Sequence, residues 1–165
     1  MQIRPIETPD AAQLMALNVA LDTETAFMLM EPGERVITLE QQVARIEAIL
    51  ASSSEALWVA EDEARLVGFV AVILGGPRRA RHTARSVIGV RRSHWRRGLG
   101  ARLLNQAEQW ARSVNVRRLE LTVVTTNARA VALYEKCGFV SEGIRVAALR
   151  IGERYVDEFY MAKLL

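Results

Sequence analysis

Residues 95–104, WRRGLGARLL, place two glycines, Gly98 and Gly100, between an arginine-rich segment and a pair of leucines. Apolar residues continue at helical spacing, so the stretch predicts a loop that turns into a helix from Gly98 to about Ser113. The inward positions of this helix are Leu99, Leu103, Leu104, Ala107 and Ala111. A β-rich run ends at Val90, so the local unit is a strand, a turn and a helix.

The start of the predicted helix is a candidate anion site. The first amides of a helix have no intrahelical acceptor and its N-terminus is electropositive, so a phosphate binds there favourably. Gly98 and Gly100 would let the backbone approach phosphate oxygens closely. Arg96 and Arg97 add positive charge. The stretch is neither a P-loop, since no G-K-[ST] follows, nor a dinucleotide fingerprint, since the third glycine is missing.

A second motif occupies residues 127–139, NARAVALYEKCGF. Together with the glycine loop it resembles the signature of the GNAT superfamily of acetyl-CoA-dependent N-acetyltransferases, in which a (Q/R)-x-x-G-x-(G/A) loop precedes an N-x-x-A-x-x-L-Y-x-K-x-G-F helix. The matching residues of the second motif are Asn127, Ala130, Leu133, Tyr134, Lys136, Gly138 and Phe139. One position departs from the pattern, because Trp95 stands where most members have Gln or Arg.

The elements around the two motifs predict an α+β fold, a mixed sheet flanked by helices. Their order, β-α-α-β-β-β-α-β-α-β-β, is similar to the GNAT acyl-CoA N-acyltransferase fold over essentially the whole chain. The predicted strands are 2–6, 56–60, 66–74, 82–90, 117–124, 139–150 and 154–165. The predicted helices are 9–21, with Thr8 as its cap, 39–50, 98–113 and 127–136.

The resemblance implies how the chain would hold acetyl-CoA. The loop amides from Arg97 to Ala101 would bind the pyrophosphate, and the pantetheine arm would run beside residues 88–90. In the family this strand carries a β-bulge that aims a backbone N–H at the thioester carbonyl, and Gly89 suits such a bulge. That N–H would stabilise the oxyanion formed during attack. The full implied set is Ile88, Gly89, Val90, Arg96, Arg97, Gly98, Leu99, Gly100, Ala101, Asn127, Ala130 and Tyr134.

Tyr134 is the general acid that the resemblance implies, donating a proton to the departing thiolate. A phenol with a pKa of about 10 stays protonated at neutral pH, whereas a thiolate with a pKa of about 8.5 needs a proton to leave cleanly. Many family members place a general-base Glu on the strand before the loop, but residues 83–90 contain no carboxylate. Glu120 on the following strand is the candidate base, acting through a bound water.

The acceptor side is expected in the first part of the chain. Residues 1–63 hold 12 acidic residues against 3 arginines, whereas residues 64–165 hold 19 basic residues against 7 acidic ones. A basic part suits an anionic cofactor and an acidic part suits a cationic amine. In residues 25–35, TAFMLMEPGER, Glu31 and Glu34 are candidate anchors for an amine and Arg35 is a candidate anchor for a carboxylate.

The combined features predict an enzyme that transfers acetyl from acetyl-CoA to a primary amine of a small molecule, such as an amino acid or an amine-bearing antibiotic. The amine would attack directly, through a tetrahedral intermediate. An α-amine is favoured because its pKa of about 7.7–8.0 leaves part of it neutral without a strong base. The alternatives are acetylation of a protein N-terminus or lysine, and a non-catalytic, CoA-binding regulatory domain.

Composition limits the remaining classes. The chain of 165 residues, 50% of them hydrophobic, fits a single domain spanning 1–165, since no linker or repeat interrupts it. The only cysteine, Cys137, cannot form an intramolecular disulfide and fits a small core residue better than a nucleophile. Neither a signal-peptide pattern nor an apolar run of membrane-spanning length is present, so a cytoplasmic protein without a membrane partner is expected.

The arginine-rich window, residues 64–107, raises the question of nucleic acid. It contains ten arginines and no Asp or Glu, but Trp95 is the only aromatic residue between Val70 and Gln109. Because single-stranded nucleic acids are held by interleaved aromatic and basic side chains, a nucleic-acid partner is disfavoured. No metal is expected, and the resemblance implies a homodimer, since many members of the family dimerise.

Overall fold

The computed structural model describes all residues, 1–165, as seven strands and four α-helices in the predicted order. The strands are β1 (Gln2–Pro5), β2 (Glu55–Asp62), β3 (Arg65–Leu74), β4 (Thr83–Val90), β5 (Arg118–Val124), β6 (Val140–Ile151) and β7 (Arg154–Leu164). The helices are α1 (Ala11–Glu24), α2 (Leu39–Ala51), α3 (Leu99–Ser113) and α4 (Ala128–Lys136). The predicted mixed fold is therefore confirmed.

All seven strands form one sheet in the order β1-β2-β3-β4-β5-β7-β6. β4 and β5 run parallel, and every other neighbouring pair is antiparallel. Each face of the sheet carries one apolar cluster. Residues of α3 and α4 pack with Leu119 and Leu121 on the face called here the α3 face, whereas residues of α1 and α2 pack with Val59 and Phe69 on the α1 face. Burial of these two surfaces holds the helices against the sheet.

The start of the first helix differs from the sequence-based expectation. Thr8 does not cap α1, because residues Thr8–Asp10 form a short 3-10 turn ahead of it. The Asp10 carboxylate accepts a hydrogen bond from the Glu7 N–H at 2.9 Å and forms an ion pair with Arg4. The buried Asp10, rather than the Thr8 hydroxyl, therefore fixes the entry into the helix, since its carboxylate satisfies an amide that precedes the turn.

None of the helices is both long enough and apolar enough to cross a lipid bilayer. Cys137 is half-buried against the α3-face core, as expected for a small core residue. Burial raises the pKa of its thiol, which keeps the thiol protonated and a poor nucleophile.

Candidate active site

The loop between β4 and α3 presents consecutive backbone amides that have no acceptor in the chain, those of residues 96–101. Gly98 precedes α3 in the left-handed conformation, with φ of 75°, and a Cβ built there would meet nothing within 4 Å. Unpaired amides at a helix N-terminus bind anions through hydrogen bonds and through the positive end of the helix dipole. The loop therefore has the free donors and the open space that a phosphate requires.

Gly100 has a different structural reason to be glycine. A Cβ at this position would lie 2.7 Å from Cδ2 of Leu133, so the absent side chain makes room for α4 to pack against α3. Only Gly98, with its left-handed backbone, is required by the loop itself. The interpretation that both glycines let the backbone approach a phosphate stays a prediction, and at Gly100 the packing of Leu133 is a second reason for a glycine.

Arg96 and Arg97 are exposed and form no ion pair. Arg91 and Arg92, by contrast, are engaged by the end of α1. The Glu24 carboxylate accepts from Arg91 Nε and from the Arg92 N–H, each at 2.7 Å. These bonds fix the entry into the loop and leave the two arginines beside the unpaired amides free for a ligand.

Trp95 joins the loop to β4 and α4. Its Nε1 donates to the Val90 carbonyl at 2.7 Å, and the Arg129 guanidinium lies over the indole with Cζ 3.2 Å from the ring centroid. Arg129 belongs to the first turn of α4, so Trp95 contacts both the end of β4 and the start of α4. Arg129 was not among the predicted site residues, although its position two residues after Asn127 was a signal that it lies beside the loop.

β4 and β5 separate next to this loop. They pair only from Thr83 to Arg85 and from Arg118 to Glu120, so backbone groups on the β5 side of β4 have no strand partner beyond Arg85. Ile88 and Val90 contact the α3-face core, whereas Gly89 faces the opposite side, with a Cβ position 2.5 Å from Cδ1 of Leu21. The separated strands leave an edge of backbone along which an extended ligand chain can hydrogen bond.

The expected bulge at Gly89 is absent. The β3–β4 register runs without a shift from Gly68 opposite Val90 to Leu74 opposite Ala84. Gly89 is glycine because Leu21 of α1 and Phe69 of β3 occupy the space that its side chain would fill. β4 therefore separates from β5 after Arg85 without an extra residue inserted opposite β3.

Tyr134 is 7% exposed and lies in α4 within the α3-face core, with its ring centroid 6.0 Å from that of Phe139. Burial raises the pKa of the phenol above its ordinary value, and the neighbouring Cys137 adds to the shift. The hydroxyl makes no hydrogen bond with the chain. Every side-chain oxygen or nitrogen that is fully buried does have a hydrogen-bond partner, so this hydroxyl is not fully buried. The hydroxyl oxygen therefore borders open space, and a neutral phenol with a free donor is suited to general-acid chemistry.

The start of α4 is capped by Asn127. The side-chain oxygen of Asn127 accepts from the Ala130 N–H at 3.3 Å, which satisfies one of the first amides of the helix. The Asn127 amide NH₂ makes no hydrogen bond within the chain and stays available. Asn127 and Ala130 thus lie at the N-terminus of α4, two residues before and one residue after Arg129, whose guanidinium covers Trp95.

Glu120 lies on the opposite face of the sheet from Tyr134. Its neighbours Leu119 and Leu121 point into the α3-face core, so Glu120 points to the α1 face. Arg118 Nε donates to its carboxylate at 2.9 Å. Val87, on the same face of β4, is 43% exposed, which shows that this region is not covered by the helices. Glu120 therefore stands at the open edge of the β4–β5 separation.

A cavity of about 290 Å³ lies between the segment that follows α1 and the tip of the β6–β7 hairpin. Its lining includes the acidic Asp22 and Glu31, the apolar Met28 and Leu149, and Arg150. The neighbour of the lining residue Asp22 in α1 is Leu21, which packs on Gly89 of β4. The position places a candidate acceptor pocket on the α1 face.

The expected acceptor anchors divide into two groups. Glu31 lines the cavity, whereas Glu34 folds back so that its carboxylate accepts from the Glu31 N–H at 2.8 Å. Arg35 pairs through two hydrogen bonds with Asp22, which is 3% exposed. Arg35 therefore neutralises a buried acid in the cavity wall. Asp22 was missed by the sequence analysis, although an acid directly after the inward-facing Leu21 was the available signal.

The structure contains no group of three or more His, Cys, Asp and Glu side chains placed to hold a metal ion. Comparison with known families matches residues 22–139 to the acetyltransferase (GNAT) family. The chain belongs to the GNAT acetyltransferase family. Membership assigns it to the acetyltransferase enzymes, and its seven-stranded sheet with four helices is the GNAT fold.

Two curated relatives of this GNAT chain act on small amines. One is the L-amino acid N-acetyltransferase AaaT of Escherichia coli K12, 42% identical over 78 residues, which span 44% of this chain and 46% of the relative. The other is the spermidine N(1)-acetyltransferase of Vibrio cholerae, 33% identical over 134 residues, or 80% of this chain and 75% of the relative. The match to AaaT thus spans about half of that protein.

A solved GNAT acetyltransferase from Streptococcus pneumoniae superimposes on the chain with a TM-score of 0.94. It is 33% identical, and the superposition covers 99% of this chain and 98% of the other. The superposition therefore extends beyond residues 22–139, the segment matched to the family, to nearly the whole chain.

Proposed function

We propose that the protein transfers the acetyl group of acetyl-CoA to a primary amine of a small molecule, an amino acid or an amine-bearing antibiotic. The run of unpaired amides at residues 96–101, beside the separated β4 and β5, carries this proposal. It offers hydrogen-bond donors for a pyrophosphate at one end and a free strand edge for an extended arm at the other. GNAT membership and the two small-amine acetyltransferase relatives support it.

The coenzyme supplies an activated acetyl thioester. The amides of residues 97–101 hold its pyrophosphate, with Arg96 and Arg97 neutralising charge, and Ile88, Gly89 and Val90 align the pantetheine arm along β4. The proposal rests on the donor chemistry of the loop and on the missing β5 partners beyond Arg85. Backbone donors held rigidly by α3 and β4 need no reorganisation when charge develops on a bound carbonyl oxygen.

Tyr134 acts as the general acid. The amine adds to the thioester carbonyl carbon to give a tetrahedral intermediate. When this intermediate collapses, the C–S bond breaks and the departing sulfur takes the phenolic proton. Its free hydroxyl and its raised pKa support this role, because the side chain stays protonated at every working pH. Tyr134 and Glu120 lie on opposite faces of the sheet, so an amine that enters from the α1 face meets the thioester across the β4–β5 opening.

Glu120 is the proposed base, which removes the amine proton through a water. Its position on the exposed α1 face supports this role. A low-pKa amine lowers the demand on such a base, because a useful fraction of an α-amine is neutral near pH 7.5 to about 8. This favours an amino acid over a lysine-type or polyamine nitrogen.

The charges of the acceptor cavity support the same choice. Its two acids, Asp22 and Glu31, are balanced by Arg150 in the lining and by Arg35 paired to Asp22. A polycationic amine needs an excess of carboxylates, whereas a zwitterion with an apolar side chain matches this balance and the Met28 and Leu149 walls. We therefore place amino acids with apolar side chains, or antibiotics built like them, ahead of polyamines.

The test is release of free thiol from acetyl-CoA across a panel of L-amino acids, polyamines, aminoglycosides and N-terminal peptides. The expected result is the highest kcat/KM with an apolar L-amino acid or an amino-acid-like antibiotic. Glu31→Gln should raise KM for that acceptor, while the matched exposed variant Glu47→Gln, on α2, should leave it unchanged. Turnover confined to peptides, or binding of CoA without any turnover, would overturn the proposal.

A further inference from the structure

Trp95 is fixed at both of its ends. One end is the Nε1–H bond to the carbonyl of Val90, the last residue of β4, at 2.7 Å. The other is the stack with Arg129, whose Cζ lies 3.2 Å from the ring centroid, while Arg92 lies over the same ring at 5.5 Å. Because the hydrogen bond sets the plane of the indole, the indole in turn sets the plane of the Arg129 guanidinium.

Arg129 has no acidic partner. It forms no ion pair or side-chain hydrogen bond, and its charged neighbours are Arg92 and Arg96. Burial and then these two arginines lower the pKa of Arg129, as expected for like charges held together without a counter-charge. An arrangement of this kind is unfavourable in the free protein and is relieved when an anion binds among the guanidinium groups.

Arg129 lies near Arg96, whose amide begins the unpaired run. The indole covers one flat side of the guanidinium, so its N–H edge stays free for a ligand. A planar guanidinium binds phosphate oxygens with that edge, frequently through two parallel hydrogen bonds. The stack leaves the charge on Arg129 while removing much of the rotational freedom that binding would otherwise cost.

We propose that Arg129 donates hydrogen bonds to a phosphate of coenzyme A, and that Trp95 is the positioning residue that holds the guanidinium in place for it. The proposal rests on the proposed use of acetyl-CoA. It also gives a role to the tryptophan that departs from the family pattern. Trp95 has no charged group and its only side-chain donor is bound to Val90, so Arg129 of α4 supplies the cation instead.

The test is calorimetric titration of free CoA, which needs no acceptor and no turnover, into the whole protein at fixed ionic strength. Arg129→Ala should weaken binding by about tenfold or more, since a charge-assisted hydrogen bond is lost. Arg129→Lys should recover part of the loss. Trp95→Ala should weaken binding by about threefold or more, and Trp95→Phe, which keeps a ring to stack on, by less.

The double variant Trp95→Ala/Arg129→Ala tests the positioning role. If Trp95 acts through Arg129, the double variant binds CoA no more weakly than Arg129→Ala alone. Additive losses would show that Trp95 acts independently and would overturn that part of the proposal. Thermal unfolding of each variant shows whether the folded population is the same.

Arg102→Ala is the matched control. Arg102 is an exposed arginine in the first turn of α3, and its side chain lines a groove with Gln2 and Ile3 of β1. Its loss should change CoA affinity by less than about twofold, a reduction that screening of distant charges predicts. An equal loss in Arg102→Ala and Arg129→Ala would overturn the specific role and indicate a general charge effect.

A second titration distinguishes the 3′-phosphate from the pyrophosphate as the group that Arg129 contacts. It uses dephospho-CoA, which lacks the 3′-phosphate. A loss in Arg129→Ala that disappears with dephospho-CoA assigns the contact to the 3′-phosphate, and a loss that persists assigns it to the pyrophosphate. Wild-type affinity in Arg129→Ala for both ligands would overturn the proposal. Failure of the proposed function has a different signature, because the wild-type protein and every variant would then fail to bind CoA.

Discussion

Replacing Tyr134 by phenylalanine removes one hydroxyl from a side chain that is otherwise packed in the α3-face core. Because this hydroxyl has no hydrogen-bond partner in the chain, its loss strands no donor or acceptor. The free energy of unfolding should therefore change by no more than about 0.5 kcal/mol. If Tyr134 protonates the departing thiolate, kcat should nevertheless fall by about 10² to 10⁴, the range for a lost general acid.

The pH dependence gives a second measure of the same role. Burial disfavours the phenolate, so the pKa of Tyr134 lies above its ordinary value of 10.0 and the acid form persists as the pH rises. The kcat of the wild-type enzyme should consequently show no decline from this group below about pH 10. The acidic limb should instead follow protonation of the acceptor amine, since only the neutral amine attacks.

The assay is steady-state thiol release with the best acceptor of the panel, together with urea unfolding of both proteins. Tyr155→Phe is the matched control, because Tyr155 is 71% exposed on β7, and both its kcat and its stability should stay at wild-type values. Unchanged kcat in Tyr134→Phe, with saturating acetyl-CoA, would refute the general-acid role. If the free energy of unfolding falls so far that the unfolded fraction accounts for the lost kcat, the hydroxyl serves packing instead.

Three further predictions concern substitutions in the loop and in the cavity wall. Asp and Asn both adopt the left-handed backbone found at Gly98, so Gly98→Asp and Gly98→Asn differ mainly in charge. Calorimetry should show that CoA binds about tenfold or more weakly to the Asp variant than to the Asn variant. Equal affinities would contradict a phosphate at this loop. Gly100→Ala should destabilise the fold by no more than about 1 kcal/mol in urea, because its Cβ would lie 2.7 Å from Leu133 Cδ2, the end of a flexible side chain that can turn aside. In a Leu133→Ala background the same change should cost almost nothing, and an undiminished cost would exclude this contact as the cause. Asp22→Asn breaks the pair with Arg35 and should cost about 2–3 kcal/mol of stability while leaving CoA affinity unchanged; a weaker CoA complex would show that the cavity wall belongs to the coenzyme site.

Local pattern was sufficient for much of the fold and for part of the site. The periods of two and 3.6 residues located the strands and helices, since side-chain burial repeats with backbone geometry. The glycine loop and the Asn127–Phe139 motif together indicated the family, which the comparison confirmed. The error at Thr8 arose because Asp10 is held by Arg4 from β1, a side-chain contact that helical periodicity does not reveal.

The order of the elements, the family and the position of the candidate anion-binding loop follow from the sequence, because each depends on residues close together in the chain. Only the tertiary structure decided why Gly89 and Gly100 are glycines, since the side chains that fill their space come from α1, β3 and α4. It also decided the partners of Trp95 and Arg35, which lie 34 and 13 residues away. Contacts of this kind depend on how the helices pack across the sheet, and local periodicity carries no information about that packing.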